Sequence, residues 1–190
     1  MPIGPFAPWN GQTTGGGQMD DGGVYTLKVV AKNGSGAAVD SQVLIRGRIT
    51  GVELYEKTIG IIGLGRIGTL VAQRLAGFGT TLIGFDPYVT QARAEQIGVE
   101  LVDMDQMMKR ADYITIHIPK TPETTGMIST DQFAIAKPNL RIVNCSRGGI
   151  IDEAALYAAL KSGRIAGAGL DVFVNEPPKD SPLLTLETLH

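Results

Sequence analysis

Thr58-Ile-Gly-Ile-Ile-Gly63-Leu-Gly65-Arg66-Ile67-Gly68 runs from a short apolar segment straight through three glycines, and an amphipathic stretch, RIGTLVAQRLAGFG, follows without a break. Glycines at this spacing are weak information by themselves, because glycine is common. Between a strand and the start of a helix, however, each one has a physical task. Gly63 permits a tight turn, Gly65 lets a pyrophosphate approach the backbone, and Gly68 lets the helix pack closely on the strand. The helix start adds unpaired N–H groups and a partial positive charge. Gly63, Gly65, Arg66, Ile67 and Gly68 are therefore candidate dinucleotide contacts. The structural alternative is a glycine turn that binds nothing.

The same grammar continues outward from this turn. Strands are expected at 58–62, 81–85, 113–117, 141–144 and 167–171, and helices at 67–77, 92–97, 104–110, 130–136 and 153–162. Ser129 or Thr130 and Asp152 suit helix N-caps, and Gly79 and Gly163 sit where helices should stop. A βαβαβ series with short connections implies an α/β, Rossmann-like, doubly wound parallel sheet covered on both faces. Asp86 ends the second strand, roughly 20 residues after the first glycine, where a carboxylate takes ribose hydroxyls and repels a 2′-phosphate. NAD is thus favoured over NADP. The alternative is that Asp86-Pro87 is simply a turn.

Residues 1–52 read differently. They are glycine-rich and show no helical period, but Val24–Lys32 and Val43–Val52 have strand-like composition around the turn-forming Asn33-Gly-Ser-Gly36. The domain boundary is therefore placed at Glu53: a small β segment over 1–52 and a dinucleotide-binding domain over 53–190.

The totals of 190 residues, 43% apolar, 19% charged and a net charge of −2 describe an ordinary globular chain with no footprint for nucleic acid. No stretch approaches a membrane span, and the amino terminus lacks the charge and apolar pattern of a signal peptide. With one cysteine, Cys145, the chain is expected to be soluble and cytoplasmic, with no intramolecular disulfide. No metal site is expected, since the two histidines, His117 and His190, are far apart and no cysteine or carboxylate cluster has ligand spacing.

Three further segments lie at strand ends: His117-Ile-Pro-Lys-Thr-Pro-Glu-Thr-Thr-Gly126, Asn144-Cys-Ser-Arg147-Gly-Gly-Ile-Ile-Asp152 and Asp171-Val-Phe-Val-Asn-Glu176-Pro-Pro. In open α/β sheets, ligands bind at this side. Arg147 offers a guanidinium fork suited to a carboxylate, with two glycines after it that admit a ligand. Glu176 stands before a stiff Pro-Pro. Taken singly, either residue reads equally well as a solvated surface charge.

Together, GLGRIG, HIPKTPETTG, NCSRGGIIDE and GAGLDVFVNEPP resemble the D-isomer-specific 2-hydroxyacid dehydrogenases, most nearly the branch that oxidises 3-phosphoglycerate for serine biosynthesis. The resemblance spans about 135 residues. It implies an NAD-dependent oxidoreductase with a small 2-hydroxy acid as substrate and a homodimer formed through the NAD domain. Arg147 would grip the substrate carboxylate and carbonyl, and Glu176 would hydrogen-bond and tune a catalytic histidine. Asp171 and the backbone near Cys145 and Ser146 would position the nicotinamide, with Cys145 a small buried residue. His117, Ile118, Pro119 and Thr121 would border the adenosine half. The family's acid–base histidine belongs to a Pro-His-x-Gly motif that does not occur before Leu189-His190. The 190-residue chain is accordingly expected to bind NAD(H) without turnover. The family's substrate domain is likewise not recognisable in the sequence.

In residues 1–52, Phe6-x-x-Trp9-Asn-Gly11, Gly22-Gly-Val-Tyr25 and Gly47-Arg-Ile-Thr-Gly51 resemble the carboxy-terminal β-sandwich of flagellar hook-capping proteins. That likeness implies an assembly module, and with it a chimera joined near Thr50–Leu54.

Overall fold

A computed structural model describes residues 24–32, 38–46, 52–186 and 188–189, with side chains placed from Val52 onward. Two compact units divide at Val52 and Glu53. In the first, β1 (Val24–Lys32) pairs antiparallel with β2 (Ala38–Arg46), running from Val24 opposite Arg46 to Lys32 opposite Ala38. β1 has its expected bounds, but β2 begins five residues before the expected Val43. Ala38, Asp40 and Ser41 are poor strand formers, so composition hid a segment that pairing with nine-residue β1 makes extended. The turn at 33–36, the motifs at 6–11 and 47–51, and residues 50–51 of the seam expected near Thr50–Leu54 lie outside the described residues.

The second unit is a six-stranded parallel sheet. Its strands are β3 (Thr58–Ile62), β4 (Thr81–Phe85), β5 (Glu100–Leu101), β6 (Tyr113–Ile116), β7 (Arg141–Asn144) and β8 (Gly167–Leu170). The helices between them are α1 (Arg66–Ala76), α2 (Gln91–Gln96), α3 (Met104–Arg110), α4 (Thr130–Ile135) and α5 (Glu153–Lys161). The spatial order is β5-β4-β3-β6-β7-β8, so the chain winds outward from β3, crosses back, and winds outward again from β6. This is the doubly wound arrangement, with its topological switch between β3 and β6. The two-residue β5 escaped the sequence reading because no period-2 pattern fits in two residues. It pairs parallel with β4 through Glu100 and Leu101, and Glu100 also makes a forked ion pair with Arg110 of α3 at 2.7 and 2.6 Å.

Alternation along each strand divides the core in two. Ile62, Ile83, Ile114, Ile116 and Ile142 pack under α3, α4 and α5 with Met107, Phe133 and Leu156. Ile59, Ile61 and Leu82 point the other way, onto Ala72 of α1 and Ala94 of α2. Strands buried on both faces read as continuous apolar runs, as TIGII and TLIGF do. Helix starts follow the expected capping: Asp152 accepts from the Ala155 N–H at 3.0 Å, and Ser129 forms a capping box with Gln132. Gly79 and Gly163 take positive φ of 68° and 70° just past α1 and α5.

The strand starts are tied by one carboxylate. Asp112, 8% exposed, accepts from the Thr58 N–H at 2.9 Å, from Lys137 Nζ at 2.7 Å and from Asn139 Nδ2 at 3.0 Å. Burial pushes the Asp112 carboxyl up, but the hydrogen bonds from Lys137, Thr58 and Asn139 outweigh it and hold the group below the usual carboxylate range. This clamp sits at the end of the sheet opposite the loops described next.

Candidate functional site

The turn from β3 to α1 is shaped by space. Gly63 has φ +92°, and a Cβ there would lie 2.7 Å from the His117 carbonyl oxygen and from Ile118. A Cβ on Gly68 would overlap the Gly63 carbonyl, so strand end and helix start touch backbone to backbone. Gly65 differs: nothing stands within 4 Å of its would-be Cβ. It is the N-cap of α1 and supplies no side-chain cap, so the helix start opens on empty space. Arg66 and Ile67 are exposed beside it, Ile67 at 62%.

Asp86 lies immediately after β4, and its two carboxylate oxygens bond in two directions. One carboxylate oxygen accepts from the Tyr88 N–H at 2.9 Å, which makes the Asp-Pro turn. The other accepts from the Leu64 N–H at 2.8 Å, inside the glycine turn. Each oxygen keeps a second lone pair, so ribose hydroxyls can still be received.

Across the switch, His117 follows β6 directly and donates its backbone N–H to the Ile62 carbonyl at 2.7 Å. Its Nε2 lies 2.9 Å from Thr115 Oγ1, and burial pulls the imidazole pKa below its usual value. Ile118 is half-buried and Pro119 exposed. Thr124 holds this loop, donating its hydroxyl to the Pro119 carbonyl at 2.8 Å and accepting the Thr121 N–H at 2.7 Å.

The β7 loop is organised by a residue the sequence reading did not single out. Asn144, 2% exposed, accepts from the Ser146 N–H and hydroxyl at 3.0 Å each and donates Nδ2 to the Arg147 carbonyl at 2.9 Å. An asparagine closing a strand two residues before a serine is turn chemistry, the one signal that pointed here. Cys145 is exposed, contrary to the expectation of a buried residue. It shares the side of β7 taken by Val143, itself 38% exposed. Arg147 is exposed and donates to its neighbour's carbonyl, that of Ser146, at 2.7 Å.

Asp171 follows β8, its N–H donated to the Asn144 carbonyl at 3.1 Å. Glu176 is exposed and accepts the Phe173 N–H at 3.1 Å. Two groupings result. The glycine turn, Asp86 and His117 are joined at the switch, while Cys145, Ser146, Arg147 and Asp171 are gathered around Asn144. Arg147 and Glu176 each bond to their own loops. Among the described residues no cluster of His, Cys, Asp or Glu could hold a metal ion, and no helix is long and apolar enough to cross a membrane.

A doubly wound sheet in order 3-2-1-4-5-6, with a glycine turn on the first strand and a carboxylate on the second, defines a dinucleotide-binding domain. Residues 32–190 match the family model for the D-isomer specific 2-hydroxyacid dehydrogenase, NAD binding domain, and the chain belongs to that family. It is 57% identical over 145 residues to D-3-phosphoglycerate dehydrogenase of Methanocaldococcus jannaschii, an alignment covering 76% of this chain and 28% of that protein. The chain thus spans about 28% of the length of such relatives. Among solved structures, the NAD-dependent formate dehydrogenase of Staphylococcus aureus in complex with NAD superposes with a TM-score of 0.68 at 40% identity, over 73% of this chain and 41% of that one. An acyclic imino acid reductase in complex with NADPH and D-Arg gives 0.67 at 36% identity, over 73% and 43%.

Proposed function

We propose that residues 53–190 hold NAD(H) and, in an enzyme of the relatives' length, present it for hydride exchange with a small 2-hydroxy acid, 3-phosphoglycerate foremost. The observation that carries this reading is the Asp86 carboxylate at 2.8 Å from the Leu64 N–H. It supports the reading because it ties the carboxylate proposed for the ribose to the glycine turn proposed for the pyrophosphate, beside the topological switch. The adenosine ribose rests on Asp86, with the pyrophosphate over the open backbone at Gly65 and the α1 N-terminus. His117, Pro119 and Thr121 border the adenosine half. The second nucleotide then crosses to β6–β8, between Cys145, Ser146 and Asp171.

Nicotinamide supplies the hydride chemistry when bound. The protein's own contribution is position and charge. Arg147 offers a fork to the substrate carboxylate, since only its Nη1 donates to the Ser146 carbonyl and the guanidinium has further N–H groups to give. Glu176 would receive the N–H of an imidazole from a Pro-His-x-Gly segment, as the family resemblance implies. The likeness to D-3-phosphoglycerate dehydrogenases favours the phosphorylated substrate. A cytosolic setting and a dimer through this domain belong to the same reading.

Substituting the ribose acceptor tests the assignment. Asp86→Ala should weaken NADH about tenfold to a hundredfold, the value of hydrogen bonds to a charged group. NADPH should lose far less, so the preference for NADH narrows. An unchanged NADH-to-NADPH ratio would mean that Asp86 is only a turn residue.

A further inference from the structure

We propose that Glu153 is a positioning residue that locks the Arg147 loop to the Glu176 loop and thereby sets the nicotinamide side of the site; this rests on the NAD(H) reading above. Glu153 is the first residue of α5, but the helix start does not require it, because Asp152 already caps it through the Ala155 N–H. A glutamate in a first turn is ordinarily solvated and interacts only with the helix dipole. Here its Oε1 instead accepts the N–H of Val174, 21 residues further on, at 2.6 Å. An N–H bound to an ionised carboxylate is roughly twice as strong as a neutral pair.

The contact falls where the two loops are already closest. A Cβ on Gly148 would overlap the Phe173 carbonyl, and one on Gly149 would lie 2.8 Å from Lys120 Nζ and 3.5 Å from Val174 Cγ2. Glycine permits this approach but does not enforce it, since two glycines add no attraction of their own. Glu153 supplies the attraction. Successive N–H groups are then taken by two carboxylates from different elements: Phe173 by Glu176 within its own loop, and Val174 by Glu153 from α5. Because α5 continues directly from the Arg147 loop, the bond from Glu153 fixes the spacing between Arg147 and Glu176. The adenosine half lies over β3–β5, where Asp86 stands, so the other nucleotide lies over β6–β8 and meets this junction.

The test is a titration of the full 190-residue chain with NADH and with ADP-ribose, which lacks the nicotinamide, in the native protein, Glu153→Ala and Glu153→Gln. ADP-ribose keeps the adenosine, the pyrophosphate and both riboses, so it reads the glycine turn, Asp86 and the loop after β6 without the nicotinamide. Glu153→Ala should cut the advantage of NADH over ADP-ribose by about tenfold while leaving ADP-ribose within about twofold. Glu153→Gln, which keeps an Oε1 acceptor, should recover most of the advantage. Amide hydrogen exchange should quicken at Val174 in the alanine variant while the α5 amides stay protected. An undiminished NADH advantage in Glu153→Ala would overturn the proposal. So would an equal loss of both ligands without recovery in Glu153→Gln, which would make Glu153 a general fold residue. If the native chain binds neither ligand, the NAD(H) reading fails before any variant is compared, and the proposal falls with it.

Discussion

The two ends of the cofactor crevice are held in shape by different means. At the β3 turn the close approach is permitted by absence: Gly63 and Gly68 lie against backbone where no side chain fits. At the β7 and β8 loops it is enforced by presence, through Asn144 reaching Ser146 and Arg147 and through Glu153 reaching Val174. Constraint by glycine cannot relax without moving a strand or a helix. A hydrogen-bonded loop can open for a ligand by exchanging one acceptor for another. A rigid anchor for the invariant part of a cofactor and adjustable loops for the reacting part suit a family whose substrates differ.

The sharpest way to break this comparison is to place a methyl group on each helix-start glycine. Gly68→Ala drives a Cβ into the Gly63 carbonyl and should cost about 3 kcal/mol, the upper range for overpacking, and abolish NADH binding. Gly65→Ala meets no protein atom within 4 Å and should leave stability within about 0.5 kcal/mol. It should nevertheless weaken NADH, because the methyl occupies the space left for the pyrophosphate. Urea unfolding paired with NADH titration separates the two. Equal stability losses would show that Gly65 has a packing role and that no ligand space was kept there.

A smaller effect is expected at the opposite end of the sheet. Asp112→Ala leaves the Thr58 N–H without its carboxylate and should lower stability by about 2 kcal/mol at neutral pH. NADH affinity should be unchanged, since the clamp joins strand starts and the site joins strand ends. The pH dependence has a definite sign. The Asp112 pKa is depressed in the fold, so its contribution is complete above the ordinary aspartate value of about 4 and is lost as pH falls through the depressed value. The stability gap between native and variant chains should therefore close in acid. A gap that persists there would mean that the loss comes from packing rather than charge.

The same contrast explains what was legible in the sequence. The β3 turn was readable because glycine in a strand–helix context has few other uses, and β3, β4 and β7 fell on their expected bounds. The strands before His117 and Asp171 ended one residue early, since a periodicity reading cannot see where pairing stops. Asn144 and Glu153 were not legible. Each acts through a partner that only the folded chain brings near, and an Asn or a Glu at a helix or strand end has many ordinary explanations. The exposure of Cys145 was misjudged for a related reason: burial was inferred from residue type and a neighbouring cofactor, whereas Cys145 and Val143 are both exposed along β7. The start of β2 at Ala38 was missed because pairing with a long neighbour overrode weak strand propensity.

The most direct measurement is a calorimetric titration of the unmodified chain with NADH, and with NADPH as its control. Saturable binding that prefers NADH by about tenfold or more is the result expected of a working glycine turn with Asp86 on the ribose. Absence of binding, or equal affinity for the two nucleotides, would contradict the account and reduce the turn to a feature of the fold.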